Sequence, residues 1–270
     1  MMLAQVARAG VRRHLARAST TQLLSRPFAS VAEQVVDTSP SAKDLEIEKQ
    51  KTIKARSLSL DSSSRFRVVD PAPSGFTHTV LKLLGYYGKQ SRLIRGANTL
   101  YSRISLQVNQ PELYANFALE QSFRTTHAML VLYMWLSLGR LRAEGRDGGV
   151  MGQSLYDAFN HDLERRIIAT GLKVLLSKWM KELEKNFYGA VASYDKAMRP
   201  EADQDELARA LWRNVFAEDD AIMPTGPNST PVHALARHVR KEAACLALTD
   251  SESFLTGNIL FSNDFGAVTE

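Results

Sequence analysis

The chain has almost no cysteine, and this scarcity restricts the chemistry available to it. Its 270 residues include a single cysteine, Cys245. One thiol cannot form an intrachain disulfide or a cysteine-based zinc or iron–sulfur site. This composition fits a reducing compartment. Because Cys245 stands in the apolar run Ala-Ala-Cys-Leu, we interpret it as a small buried side chain and not as a redox centre.

The sequence also lacks the short motifs that identify common enzyme classes. It has no His-Glu-x-x-His, no Glu-x-x-His pair, no Gly-x-Ser-x-Gly and no phosphate-binding glycine loop. His161 and Glu164 share a helical face, but Arg165 and Arg166 follow directly and can pair with neighbouring carboxylates at the surface. His233 and His238 fit the polar face of another helix. We therefore expect no catalytic residue, no metal and no cofactor.

No apolar run is long enough to cross a membrane. The most apolar segment, residues 125–139, holds 15 residues between Arg124 and Arg140, and a membrane-spanning helix needs about 20. The segment instead predicts a central helix that is buried on all sides. His127 interrupts its apolar positions, and we expect it to be a hydrogen-bonded core residue.

Acidic residues are absent from the beginning of the chain. Residues 1–28 contain five arginines, no lysine, no aspartate and no glutamate, a composition typical of a mitochondrial transit peptide. Arg26-Pro27-Phe28-Ala29-Ser30 resembles the site that mitochondrial processing enzymes cut, with cleavage expected after Phe28. The alternative is a disordered basic tail.

Removal of this segment changes the charge balance. The chain has 34 basic and 29 acidic residues, so losing five arginines leaves 29 of each. Proteins that bind nucleic acid usually carry a basic excess that displaces counterions from phosphates. RNA binding is therefore a minor interpretation.

The next segment predicts little structure. Residues 29–75 are rich in serine and charged side chains and include Pro40, Pro71 and Pro73. So few apolar residues cannot offset the entropy lost on ordering the chain. We interpret this stretch as a disordered linker with residues 57–64 as its flexible end, followed by one domain over residues 76–262.

Apolar residues in that domain recur at helical spacing, and no run alternates with a period of two. The pattern predicts a single all-α bundle of about six to seven helices, with a loop at residues 145–149 and with Pro111 and Pro231 in the first turns of helices. Three apolar faces carry this prediction: Leu93, Ala97, Leu100, Ile104 and Val108; Leu155, Phe159, Leu163 and Ile167; Leu172, Leu175, Leu176, Trp179, Leu183 and Phe187.

Two sets of side chains are candidate binding surfaces. Lys89, Arg92, Arg95 and Arg103 gather on one side of a predicted helix, where they could meet anionic lipid, ribosomal RNA or an acidic partner. The alternative is an ordinary solvated helix face. The second set is aromatic and includes Trp135, Trp179 and Trp212, for which packing in the core is the default interpretation.

A longer motif resembles a known family. Tyr194-Asp195 is followed, after a short acidic turn, by residues 210–214 with the sequence Ala-Leu-Trp-Arg-Asn. Upstream, Trp135 is followed by Leu138, Arg140, Leu141 and Arg142. These residues resemble the ubiquinol-cytochrome c chaperone family, and the resemblance is best over residues 132–216. Because Asp195 and Arg213 both lie in the motif, we expect them to form an ion pair.

The resemblance implies an assembly chaperone for respiratory complex III and no enzyme. Members bind newly synthesised cytochrome b at the matrix side of the inner mitochondrial membrane, together with a small partner assembly factor, and some also contact the mitochondrial ribosome. Contact with the membrane would be peripheral, without a transmembrane helix. The candidate partner-binding residues are Lys89, Arg92, Arg95, Arg103, Asp195, Trp212 and Arg213. Two alternatives remain, a ribosome-associated structural protein and an uncharacterised helical matrix enzyme.

Overall fold

The computed structural model describes residues 54–69, 86–171, 175–216 and 226–265, together with the single positions 79, 82 and 223. The predicted transit peptide, residues 1–28, lies outside the described residues. So does most of the predicted linker, apart from residues 54–69.

Eight α-helices make up most of the described chain, and its only β-type contact is one isolated bridge between Ser59 and Ile259. The predicted all-α fold is confirmed. The count exceeds six to seven because a helix as short as Ser251–Leu255, with five residues, has too few positions to show an apolar period. The helices are α1 (Lys89–Val108), α2 (Pro111–Asn116), α3 (Phe123–Arg142), α4 (Gly145–Ala169), α5 (Leu176–Ala197), α6 (Glu206–Leu211), α7 (Thr230–Leu248) and α8 (Ser251–Leu255).

Helix α3 is the centre of the bundle, as its sequence predicts. It contacts α1, α4, α5 and α7, and Trp135 within it is fully buried. Ser122 and Thr125 begin the helix with a capping box, in which each side chain accepts a hydrogen bond from the other residue's backbone N–H. Among the helices described, none has the length and apolar character that a membrane span requires.

Helices α1 and α4 run parallel to each other. Lys89 pairs with Asp147 at 2.7 Å near the starts of the two helices, and Arg166 donates to Ser105 at 3.4 Å near their ends. Between these contacts, Tyr101 donates to Asp162 at 2.7 Å. The buried stripes that the sequence predicts on α1 and α4 face each other across this interface.

The loop expected at residues 145–149 is wrong, because α4 begins at Gly145. Gly145 takes a positive φ of 56°, which glycine adopts at little cost, and so lets the chain reverse directly from α3 into α4. A Cβ atom on Gly148 would lie 1.9 Å from the carbonyl oxygen of Leu141. Glycine here therefore permits close contact of two helices and does not signal a loop.

Residues 54–69 are an ordered part of the domain, which corrects the linker prediction for this stretch. Leu58 is buried, and its carbonyl accepts from the backbone N–H of Leu260 at 3.1 Å. The side chain of Asn258 binds both the N–H and the carbonyl of Val68, at 2.8 and 3.0 Å. Hydrogen bonds to a distant C-terminal segment supply the order that the polar local sequence could not predict.

Gly96 allows α1 to approach α8, and this gives a test of the packing. A Cβ atom at Gly96 would lie 1.9 Å from the carbonyl oxygen of Leu255. We expect Gly96→Ala to lower the free energy of unfolding by about 2 kcal/mol or more, since backbone must move to relieve the overlap. Urea denaturation measures this change.

The matched control is Gly189→Ala on α5. A Cβ atom there meets no atom within 4 Å, so the gain in helix propensity should leave stability unchanged or raise it by up to about 1 kcal/mol. Equal destabilisation by both substitutions would contradict the close approach of α1 and α8.

Candidate functional site

The family motif surrounds one carboxylate that joins two helices. Asp195 on α5 accepts a hydrogen bond from the indole N–H of Trp135 at 2.8 Å. Arg142 donates two hydrogen bonds to the same carboxylate through its two Nη atoms, at 3.1 and 2.9 Å. Trp135 and Arg142 both lie on α3, so the contact fastens the central helix to α5. We call these three residues the Asp195 node.

Helical spacing explains why the node forms. Trp135 and Arg142 are seven residues apart, close to two turns, and therefore lie on one face of α3. On α5, Tyr194 is fully buried and packs against Trp135 with ring centroids 5.2 Å apart. Asp195, one position further, lies at the edge of that interface and is partly exposed.

The arginine of the node is much less exposed than its partner. The side chain of Arg142 is 5% exposed, against 30% for Asp195, and the Nε of Arg142 has no hydrogen-bond partner among the described residues. A charge that is buried in this way depends on its counter-charge. Tyr194 also keeps a hydroxyl without a partner in the described part, and burial raises the pKa of this phenol.

The ion pair expected between Asp195 and Arg213 is wrong. Arg213 is exposed, and the carboxylate of Asp195 is already held by Trp135 and Arg142. Membership of one motif suggested the pairing. The seven-residue spacing of Trp135 and Arg142 shows that they share a face of α3, but it does not show that this face meets Asp195.

The second half of the motif forms a π-helical turn. Residues Trp212–Phe216 continue α6 with this wider winding, and Trp212 stacks on Phe216 with ring centroids 5.9 Å apart. Asn214 donates to the carbonyl of Ala210 at 2.7 Å, and Arg124 from α3 donates to the carbonyl of Val215 at 3.1 Å. Trp212 is half-buried here, so the predicted role in core packing applies to only part of its side chain.

The predicted cationic face on α1 does not form a continuous surface. Arg103 is buried and donates to the carbonyl of Phe66, and burial lowers the pKa of its guanidinium. Arg95 donates to the carbonyl of Tyr86 at 2.7 Å and lies over the Tyr86 ring. Lys89 is exposed but paired with Asp147, and Arg92 is exposed. The helical pattern placed these four residues together but could not reveal the N-terminal segment that covers Arg103.

Trp179 also departs from its predicted core position. Its side chain is 42% exposed, and Leu175 at the start of the same apolar face is 47% exposed. Further along that face, Leu183 and Phe187 are buried as predicted.

The polar cluster at residues 161–164 has a structural role. Arg165 and Arg166 pair with Asp162 at 2.9 and 2.7 Å, as expected, but Asp162 is buried and not at the surface. Burial acts to raise the pKa of Asp162, but its hydrogen bonds with Arg166 and Tyr101 outweigh this effect and lower the pKa overall. His161 is exposed on the outer side of the helix.

Two histidines are buried in the core. His238, predicted on a polar face, instead contacts the hydroxyl of Tyr133 through Nε2 at 3.0 Å. His127 was expected to be hydrogen-bonded, but its Nε2 has no partner among the described residues. Burial lowers the pKa of both imidazoles to about 4, so both are neutral at physiological pH. Within the described ranges, no three His, Cys, Asp or Glu side chains come together as a metal site.

The fold and the Asp195 node together define the class of this protein. It is an all-α scaffold in which the motif residues mainly hold helices together. The profile of the family described as Ubiquinol-cytochrome C chaperone matches residues 115–261, more than half of the chain and a range that includes the whole Asp195 node. The chain belongs to the ubiquinol-cytochrome c chaperone family, as the motif predicts.

Relatives in animals share this region. Ubiquinol-cytochrome-c reductase complex assembly factor 1 of Xenopus laevis is 26% identical over 166 residues, which cover 60% of this chain and 78% of the relative. The corresponding protein of Mus musculus is 24% identical over 186 residues, or 67% of this chain and 60% of the relative. The chain therefore spans somewhat less than two thirds of the mouse protein.

A solved structure has a similar fold. The crystal structure of the Cbp3 homolog from Brucella abortus superposes with a TM-score of 0.56 at 26% sequence identity. The match covers 68% of this chain and 97% of the bacterial one. Nearly all of the bacterial protein therefore corresponds to the helical domain described above.

Removing the charge of Asp195 tests the node. We expect Asp195→Asn to lower the free energy of unfolding by about 3 kcal/mol, because it leaves the buried guanidinium of Arg142 without a counter-charge. Chemical denaturation measures the loss. Arg213→Ala is the control, and since this side chain is exposed it should change stability by less than about 0.5 kcal/mol. A larger effect of Arg213→Ala would restore the pairing that the motif suggested.

The buried histidines predict a pH dependence. Between pH 6.5 and about 4 the unfolded chain binds a proton at His127 and the folded chain does not, so stability falls as pH decreases through this window. His127→Leu should reduce that slope, whereas His161→Gln, at an exposed position, should leave it unchanged. Thermal unfolding at a series of pH values measures both slopes. Equal slopes in the parent chain and His127→Leu would contradict a neutral buried imidazole.

Proposed function

We propose that this protein is an assembly chaperone for ubiquinol-cytochrome c reductase, respiratory complex III, that binds newly synthesised cytochrome b. The observation that carries the proposal is the family match over residues 115–261. The relatives that match are named as assembly factors of that complex. The location that follows from the proposal is the mitochondrial matrix side of the inner membrane, with a peripheral contact and a small partner assembly factor.

The fold suits the holding of another polypeptide. A newly made, strongly apolar membrane protein aggregates unless its exposed segments are bound until assembly. A chaperone for such a client needs a stable body, which the buried α3 and the Asp195 node supply. Binding surfaces then come from side chains that remain exposed on this body.

The candidate contact residues fall into an exposed group, which can touch a partner, and a more buried group, which cannot do so directly. Arg213 is exposed and follows the half-buried Trp212 on the π-helical turn, and we propose this turn as a contact for a partner protein. Lys89 and Arg92 are exposed on α1 and can add contacts there, with Arg95 beside them. Asp195 and Arg103 act indirectly, because each anchors the segment that it joins.

Deletion of the gene tests the proposed function. We expect selective loss of mature cytochrome b and of assembled complex III, with the other respiratory complexes assembled normally before any secondary decline. Quantitative native gels and pulse-labelling of mitochondrial translation products measure both. Normal complex III in the deletion strain would refute the proposal.

Rescue with variants separates contact from stability. Arg213→Ala should restore a stable protein to normal abundance but reduce its co-purification with labelled cytochrome b. Asp195→Asn should instead lower the abundance of the protein itself. If Arg213→Ala binds cytochrome b as well as the parent chain does, the π-helical turn is not the contact.

A further inference from the structure

Three large apolar side chains are exposed where α4 ends and α5 begins. Ile168 is 38% exposed, Leu175 47% and Trp179 42%. Trp179 is the most exposed of the three tryptophans, since Trp135 is fully buried and Trp212 is half-buried. We call Ile168, Leu175 and Trp179 the hairpin tip.

The antiparallel packing of α4 and α5 brings these residues to one end of the domain. Phe159 faces Phe187 with ring centroids 5.5 Å apart, and Tyr156 faces Tyr188 at 6.3 Å. Ile168 follows Phe159 by nine residues on α4. Position 178 precedes Phe187 by nine residues on α5, so the two positions are equally far along the hairpin from the Phe159–Phe187 contact. Ile168 therefore lies level with the first turn of α5, at the same end of the domain as Trp179.

Basic side chains flank the hairpin tip. Lys178 and Lys181 are exposed, and neither forms an ion pair within the described part of the chain. Glu182 is the acidic neighbour on the following turn. Arg165, at the end of α4, is 66% exposed while paired with Asp162. The exposed apolar surface is thus bordered mainly by positive charge.

These residues oppose the stability of their own helix. Lysines near the N-terminus of a helix interact unfavourably with its dipole, and the first turn of α5 has no acidic residue to compensate. Leu175, at the N-cap position, makes no capping hydrogen bond. Positions that conflict with local stability and also expose apolar surface often serve binding.

We propose that the hairpin tip docks on the surface of an anionic phospholipid bilayer. Tryptophan prefers the boundary between lipid and water, and each lysine near an anionic membrane adds favourable electrostatic attraction. At this end of the domain one tryptophan and two aliphatic side chains are exposed, together with two lysines that form no ion pair among the described residues. The inference deepens the peripheral membrane contact of the proposed function by naming the surface that makes it.

The sequence after Trp179 favours lipid over a partner helix. A docked helix needs a continuous apolar groove with contacts at several successive turns. On α5 the exposed residues between Trp179 and Phe187 are polar, including Glu182, Lys185 and Asn186. Apolar exposure is therefore confined to the end of the hairpin, which suits shallow insertion between lipid headgroups.

Tryptophan fluorescence of the full chain tests the proposal. Vesicles of equimolar phosphatidylcholine and phosphatidylglycerol should shift the emission to shorter wavelength, and lipids brominated on their acyl chains should quench it. Trp179→Phe should remove most of the shift, because Trp135 is buried in the fold and Trp212 is half-buried against Phe216. Pure phosphatidylcholine vesicles should produce a much smaller shift.

A charge-matched pair of double variants tests the lysines. Lys178→Gln with Lys181→Gln should weaken binding to the anionic vesicles about tenfold or more in a co-sedimentation assay. Arg199→Gln with Arg237→Gln removes the same charge from exposed positions elsewhere, and should weaken binding much less. This comparison separates the tip from the basic residues 1–28, which all variants share.

Three outcomes would overturn the inference. They are an emission spectrum that anionic vesicles do not change, equal weakening by the two double variants, and a shift that appears only when a protein partner is added. None of these measurements involves cytochrome b. If vesicle binding fails but the parent chain restores complex III, the docking surface is wrong and the proposed function stands. If the protein binds vesicles but complex III is unaffected in the deletion strain, the docking surface stands and the proposed function is wrong.

Discussion

The carboxylate of Asp195 is the contact on which the arrangement of this domain depends. It accepts hydrogen bonds from Trp135 and Arg142 on the central helix, so it sets the position of α5 against α3. Helix α5 in turn carries Phe187 onto α4 and leads into α6 and the π-helical turn. Because the guanidinium of Arg142 is buried, this contact cannot be lost without leaving a charge uncompensated.

This constraint explains why the family motif is mostly architectural. Tyr194 and Asp195 face the central helix, and Asn214 binds backbone within its own turn. Residues that are buried between helices are not available to a client, so we propose that binding depends on exposed side chains, such as that of Arg213 within the motif. The hairpin tip is a second such place, since Trp179 is exposed where the motif-bearing α5 begins.

Helical periodicity predicted much of the fold but less of the site. It identified the buried stripes of α1 and α4 and the central position of α3, because each of these depends on one helix alone. The same periodicity predicted Arg103 on a cationic surface and Trp179 in the core, and both predictions were wrong. Arg103 is covered by residues distant in the chain, and Trp179 remains exposed near the start of α5.

The amino-acid sequence alone determined the helical class, the single-cysteine chemistry and the family, because composition, spacing and a local motif express all three. Tertiary structure decided which groups became partners, including Arg142 for Asp195 and the C-terminal segment for residues 54–69. The physical reason is that periodicity gives the direction of a side chain around its own helix axis. Only the packing of helices against each other determines which side chains meet and which remain in contact with solvent.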